Sequence, residues 1–302
     1  MRFTIHQPIS IHELGRRGNQ EDSMFPLEDV ATIADRLFIV CDGMGGHEQG
    51  EVASQLVCSE LAKELQAQWS PDQVLTDEVL RRALDTVQDR LDEHDNGSLR
   101  KMGTTLTLVA LHRGGVTMAH IGDSRIYHMR PGIGILYKSR DHSLVYDLFM
   151  AGEITQEQMA TAPNKNIVTR ALMPCQERRP RLDITHTTDV QPGDWFILCS
   201  DGVLEQLNDE GLFKTLTETP AAQLRQRLID LTARNADNHT AFFLLMVSVE
   251  HEPADDQQPA DEATSRFNAI VLERDAQPAQ PVSPKPQSAW KRFIHCFKSE
   301  DL

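Results

Sequence analysis

The run Thr104-Thr105-Leu106-Thr107-Leu108-Val109-Ala110-Leu111-His112-Arg113-Gly114-Gly115-Val116-Thr117-Met118-Ala119-His120-Ile121-Gly122-Asp123-Ser124-Arg125-Ile126-Tyr127-His128-Met129 decides the architecture of this chain. It holds three strand-like stretches, 104–112, 116–121 and 125–129, joined by two short turns that contain glycine. Parallel neighbours need crossovers of about a dozen residues or more, so this spacing predicts an antiparallel meander. Working outward, helical patterns cover 47–68 and 71–94 on one side, and 143–151, a segment after Thr155, and 220–234 on the other. Ser70-Pro71-Asp72-Gln73 has the form of a capping box with proline at the first helical position. Leu80, Leu84, Val87 and Leu91 then recur at helical spacing, as do Leu224, Leu228 and Leu231 behind Pro220. Further strands are expected at 194–199 and 241–249. Helices in blocks around antiparallel strands predict an α+β layered domain, not a βαβ repeat.

The chain has 302 residues, of which 40% are hydrophobic, enough for a substantial core in one large domain or two small ones. Its net charge of −15 disfavours nucleic acid, whose phosphates call for a basic surface. Cys41, Cys58, Cys175, Cys199 and Cys296 are scattered and form no CxxC pair, which fits a reducing compartment. The N-terminal residues lack the apolar core of a signal peptide, and no run approaches the roughly 20 apolar residues of a membrane span. A cytoplasmic monomer is expected. The core domain is placed at 1–250. Residues 251–288, rich in Pro, Asp, Gln, Glu and Ala, read as a disordered linker. Residues 289–302 form a short amphipathic basic segment, with Trp290, Phe293, Ile294 and Phe297 on one face, suited to docking on a partner.

Acidic residues recur beside the apolar runs. Asp42 follows Phe38-Ile39-Val40-Cys41, Asp123 follows Ala119-His120-Ile121-Gly122, Asp201 follows Phe196-Ile197-Leu198-Cys199-Ser200, and Asp237 shortly precedes Ala241-Phe242-Phe243-Leu244-Leu245. Glu21-Asp22 adds a further pair. Carboxylates at the tips of buried strands, meeting at one end of a sheet, would repel one another and raise one another's pKa values, a cost that divalent cations remove. An oxygen-only donor set points to magnesium or manganese, not zinc. A dinucleotide-binding reading of Asp42-Gly43-Met44-Gly45-Gly46-His47 fails, because Glu48 stands where the third glycine belongs.

Eight motifs, in order, carry a resemblance: Arg17-Gly18-Asn19-Gln20-Glu21-Asp22, Asp42-Gly43-Met44-Gly45-Gly46-His47, Met102-Gly103-Thr104-Thr105, Gly122-Asp123-Ser124-Arg125, Asp141-His142-Ser143, Asn166-Ile167-Val168-Thr169-Arg170-Ala171-Leu172, Ser200-Asp201-Gly202 and Asp237-Asn238-His239-Thr240. Over 8–250 the chain resembles the bacterial metal-dependent (PPM, type 2C) serine/threonine protein phosphatases. The resemblance implies a four-layer αββα sandwich, two central antiparallel sheets flanked by helices, with two or three Mn2+ or Mg2+ ions at one end. It implies that Asp42 bridges two ions, that Gly43 contributes its carbonyl, and that Asp201 and Asp237 complete the first site. Glu21 or Asp22 would support the second, Asp123 with Asp201 would border a third, and Arg17 would bind the substrate phosphate.

The implied reaction is direct hydrolysis of phosphoserine and phosphothreonine by a water or hydroxide shared between the ions. The partners would be phosphorylated proteins and an opposing Ser/Thr kinase. Met44 stands where animal members carry a histidine acid, and His47 lies three residues on, at the channel rim. His142 and Ser124 read as turn residues. Some of the basic residues Arg140, Lys165, Arg170, Arg178, Arg179 and Arg181 would guide acidic substrates inward. One alternative is a catalytically inactive phosphatase-like scaffold, against which the intact set of aspartates argues. Another is a metal-dependent phosphodiesterase or nuclease, disfavoured by the acidity of the chain and the lack of an aromatic-basic strand groove.

Overall fold

A computed structural model describes residues 1–45, 49–95, 97 and 101–251. In chain order these form β1 (Arg2–Ile5), β2 (Ile9–Glu13), β3 (Asp22–Phe25), β4 (Leu37–Met44), α1 (Gln49–Gln68), α2 (Asp77–Glu93), β5 (Gly103–Thr104), β6 (Leu106–His112), β7 (Gly115–Ile121), β8 (Arg125–Arg130) and β9 (Gly134–Lys138). There follow α3 (Leu144–Met150), α4 (Gln156–Thr161), β10 (Asp183–Thr187), β11 (Trp195–Cys199), a 3-10 turn (Asp201–Glu205), α5 (Asp209–Glu218), α6 (Ala221–Thr232) and β12 (His239–Glu250). One sheet runs β1-β12-β11-β8-β9, with β2 also on β12. The other runs β10-β7-β6-β4-β3, with β5 on β4. All the strand pairings are antiparallel.

The apolar runs are continuous because both faces of each sheet are covered. Successive side chains of a strand point to opposite faces. In β4, Phe38 and Val40 therefore meet Phe196, Leu198, Phe242 and Leu244 between the sheets. Leu37, Ile39 and Cys41 turn the other way, toward Leu61, Leu65, Leu80 and Leu84 of α1 and α2. In the opposite sheet Tyr127, Ile197 and Phe243 face Leu212, Leu224 and Leu228 of α5 and α6. Three apolar seams join four layers, the αββα arrangement. Phe38 and Phe242 close the middle seam edge to face, with centroids 5.2 Å apart. Full burial of each such side chain stabilises by about 1.5–3 kcal/mol.

Several expectations are corrected. β6 and β7 pair as expected, but β8 leaves the meander and joins β11 and β9 in the other sheet. The crossing is made at Gly122, whose φ of +106° suits glycine and where a Cβ would lie 2.5 Å from Thr105 Cγ2. The helix expected over 71–94 begins at Asp77, with Thr76 as its cap. Ser70–Gln73 instead closes a turn, the Gln73 N–H donating to the Ser70 carbonyl at 2.9 Å, which lets both Trp69 and Leu75 enter the core. α4 does start behind Thr155, in a complete capping box with Gln158. β1, β2, β3, β9, β10 and α5 carry too little periodicity to be expected from sequence. His47, the segment 252–288 and the C-terminal segment 289–302 lie outside the described residues.

Candidate metal centre

Asp22 opens β3 and stands directly opposite Asp42 of β4 in the antiparallel register. Directly opposed like charges destabilise a sheet unless something compensates them. Asp42 is not at a strand tip, as expected, but within β4, which continues to Met44. Where the partner changes from β6 to β5, Thr105 spans the break. Its Oγ1 accepts the Asp42 N–H at 3.0 Å, and its own N–H donates to the Asp42 carbonyl at 2.9 Å. The Thr104 hydroxyl donates to the same carbonyl at 2.9 Å. The Gly43 N–H donates to the Glu21 carbonyl at 3.1 Å, holding Glu21 alongside.

The other sheet supplies Asp201, just past β11, and Asp237, just before β12. Their loops close on each other because a Cβ on Gly202 would lie 2.0 Å from the Asn238 carbonyl oxygen, an approach glycine alone permits. Ser200 ties the sheets together. Its hydroxyl donates to Asp22 Oδ2 at 2.8 Å while its oxygen accepts the Thr240 N–H at 3.0 Å. Buried Asn238 accepts the Glu21 N–H at 2.8 Å and donates to the Leu14 and Asn19 carbonyls. It thereby fastens the loop that carries Arg17 and Glu21. The half-exposed Arg17 guanidinium donates to Asp237 Oδ2 at 2.7 Å. Asp123 lies on the link by which the chain crosses between the sheets.

These acids are close enough to act on one another electrostatically. Burial, and then Asp201 and Asp237, push Asp22 up to about 7 against the hydrogen bonds from Ser200 and Thr240. Burial and then Asp201 and Asp141 push Asp123 up to about 7. Asp42 is driven well above the carboxylate range, by burial and by Asp22, Asp201, Asp123 and Asp237. Asp201 is raised by burial and by Asp237, although it shares a hydrogen bond with Asp42. An oxygen-only set of mutually repelling acids fits hard divalent cations.

Three of the basic residues expected to steer substrate have their charges met within the fold. Arg140 pairs with Asp147 at 3.0 Å and lies over the Tyr146 ring. Arg170 pairs with Asp183 at 2.9 Å, and Arg179 meets Asp85, Asp89 and Asp92 along one face of α2. Ser200, Asn238 and Thr105 are the functional supports that sequence reading passed over. All three lie inside motifs, but a hydroxyl or amide carries no mark in sequence of its distant partner.

The raised values have a signed consequence. With no cation, folded Asp22 and Asp123 keep their protons to about pH 7. Unfolded, they release them near pH ~4. Their contribution to stability is full below the unfolded value and is lost as pH rises through the folded one. In chelator, the melting temperature should therefore fall between pH 5 and pH 8. The fall should be smaller in Asp123→Asn, and manganese should suppress it. Thermal melts followed by circular dichroism check this, and equal slopes for wild type and variant would contradict it.

The sequence profile described as "Protein phosphatase 2C" matches residues 21–233. The chain is 31% identical over 218 residues to a putative protein phosphatase 2C-type of Streptococcus pyogenes, covering 72% of this chain and 86% of that protein. It is 32% identical over 238 residues to the serine/threonine protein phosphatase PstP of Mycobacterium tuberculosis, covering 78% of this chain but 44% of that longer protein. The structure of the PstP catalytic domain in complex with two manganese ions superposes with a TM-score of 0.66 at 30% identity, over 82% of this chain and all of that one. The chain belongs to the protein phosphatase 2C family, in its bacterial PPM form.

Proposed function

We propose that the chain is a manganese- or magnesium-dependent phosphatase that hydrolyses phosphoserine and phosphothreonine in proteins, opposing a Ser/Thr kinase. The observation that carries this reading is the convergence of Asp22 and Asp42 from one sheet with Asp201 and Asp237 from the other. Asp42, which feels all the other aspartates of the cage, is assigned the bridging position. Asp201 and Asp237 would hold the first ion, and the Gly43 carbonyl is assigned to the same centre. Asp22, which faces Asp42 across the strand pair, would support the second more directly than Glu21. Asp123 borders an outer position.

Bound there, divalent cations supply Lewis acidity that activates water at neutral pH and offsets charge on the phosphoryl oxygens. The residues do the rest. Arg17, anchored by one hydrogen bond to Asp237, keeps further N–H donors for a phosphoryl oxygen. Thr105, Ser200 and Asn238 hold the acids in place before substrate arrives, which is the condition for electrostatic catalysis. No covalent intermediate is called for. Cys41 and Cys199 are buried, and burial pushes both thiols up. The catalytic unit is assigned to residues 1–250. A cytoplasmic monomer is part of the same reading, and among the described residues no helix is long and apolar enough to cross a membrane.

The test is release of phosphate from a phosphothreonine peptide and from p-nitrophenyl phosphate, with manganese and with chelator. Turnover that requires manganese is expected on both. Manganese-dependent binding of the peptide without phosphate release would favour a scaffold, and turnover in chelator would overturn the metal reading.

A further inference from the structure

Beside the Asp123 end of the acidic cage, His120, His142 and Asp183 bring three donor atoms within 4.8 Å of one another, a spacing that suggests a transition-metal triad. The hydrogen bonds argue otherwise. The Gly122 N–H donates to His142 Nδ1 at 3.0 Å, so that nitrogen holds a lone pair and the ring proton sits on Nε2. Nε2–H in turn donates to Asp183 Oδ2 at 3.0 Å. A metal at Nε2 would have to expel that proton, and the Gly122 N–H blocks Nδ1 from receiving it. The two histidine rings are stacked, 4.7 Å apart and 10° from parallel. Their in-plane lone pairs therefore cannot converge on one ion. His120 Nε2–H is already engaged by the Arg140 carbonyl at 2.8 Å.

The arrangement is instead a directed chain of hydrogen bonds. Arg170 donates to Asp183 Oδ1 at 2.9 Å, and Asp183 accepts from His142. His142 grips Gly122 twice: Nδ1 accepts its N–H, and the His142 N–H donates to its carbonyl at 2.9 Å. Gly122 immediately precedes Asp123. On the other side of Asp123, the Ser124 and Thr105 hydroxyls lie 2.7 Å apart, and Arg125 forms a two-point pair with Asp141 at 2.7 and 2.6 Å. Asp123 is held between two clamps, each ending in the Asp141-His142 dipeptide. β10 carries Asp183 to this place from more than 40 residues further along the chain, in register with His120.

We propose that Asp183, by fixing the tautomer and ring orientation of His142, positions the Gly122–Asp123 link and so sets the affinity of the outermost ion site. This rests on the reading of Asp123 as a ligand of that site. Asp183 and His142 are positioning residues that act through the backbone of Gly122. Partners of this kind, one step removed from a metal ligand, change affinity by about 10–100-fold when they are lost.

The experiment is calorimetric titration of the full chain with manganese, for wild type, Asp183→Ala, Asp183→Asn and Asp123→Ala. The manganese dependence of p-nitrophenyl phosphate turnover is measured alongside. Asp183→Ala should weaken the weakest manganese site about 10–100-fold, leave the tighter sites unchanged, and raise the half-activating manganese concentration by the same factor. kcat should recover at high manganese. Asp183→Asn, whose amide oxygen can take the place of Oδ2 and accept from Nε2–H, should restore near wild-type binding. Wild-type affinity at the weakest site of Asp183→Ala overturns the proposal, and so does equal loss at every site. If Asp123→Ala leaves that site intact, Asp123 is not its ligand, and the underlying reading falls together with the proposal. If Asp123→Ala removes the site while Asp183→Ala does not, the proposal alone falls.

Discussion

Asp42→Asn lowers turnover of p-nitrophenyl phosphate at saturating manganese by about 10³-fold or more, yet raises the melting temperature measured in chelator. The two effects share one cause. Asp42 is the acid on which Asp22, Asp201, Asp123 and Asp237 all act, and each raises its pKa after burial has done so. An amide of the same shape keeps the β4 backbone, with its bonds to Thr105 and Thr104, but carries no charge for its neighbours to repel. The cation-free fold is thereby relieved, while the bridging position proposed for Asp42 would lose the charge an ion needs. Sites that hold mutually repelling groups are where activity and stability trade against each other. Parallel kinetics and thermal melts check this. Loss of activity with a lowered melting temperature in chelator would show that Asp42 supports the fold rather than strains it.

Asp194→Ala should have the largest effect on stability while leaving the ion sites unaltered. Asp194 is 0% exposed. It accepts from Arg130 at 2.7 and 2.8 Å, from His128 Nε2–H at 2.8 Å and from the Gln191 N–H at 2.9 Å. Arg130 is itself buried, and its second partner, Asp189, is exposed. Truncating Asp194 leaves a buried guanidinium short of its counter-charge, at a cost of about 3–5 kcal/mol. For a domain of this size that lowers Tm by roughly 6–20 °C. Asp194 precedes β11 and Asp201 follows it, so roughly 20 Å of strand separates the substitution from the acidic cage. The manganese concentration for half-maximal activity should therefore be unchanged at a temperature where the variant is folded. A shift in that value would show that β11 transmits strain along its length.

The strands that carry the site were the most legible elements, for a physical reason. β4, β11 and β12 are covered on both faces, so their apolar runs are unbroken and their ends stand out. β8 was legible as a strand but not as to its sheet. Ile126 fills the seam between the sheets, while Tyr127 and Met129 face α5 and α6, and such a two-faced strand suits either sheet equally. The start of α2 was misplaced because Ser70-Pro71 has sound capping chemistry, and only the burial of Leu75 decides against it. At the site, each acid announced itself beside its own run. Their supports did not, since the Ser200 to Asp22 hydrogen bond spans 178 residues and a serine hydroxyl is unremarkable in sequence. Arg179 makes the same point, since only the fold of α2 sets Asp85, Asp89 and Asp92 beside it.

The cage draws Asp22 and Asp42 from one sheet and Asp201 and Asp237 from the other, with Asp123 on the strap between them. An ion held there would act as a rivet through two plates that otherwise adhere by an apolar seam. Loading it would resist sliding of one plate over the other at that end. The grip on the phosphate and the alignment of the whole sandwich would then be set by the same fastener.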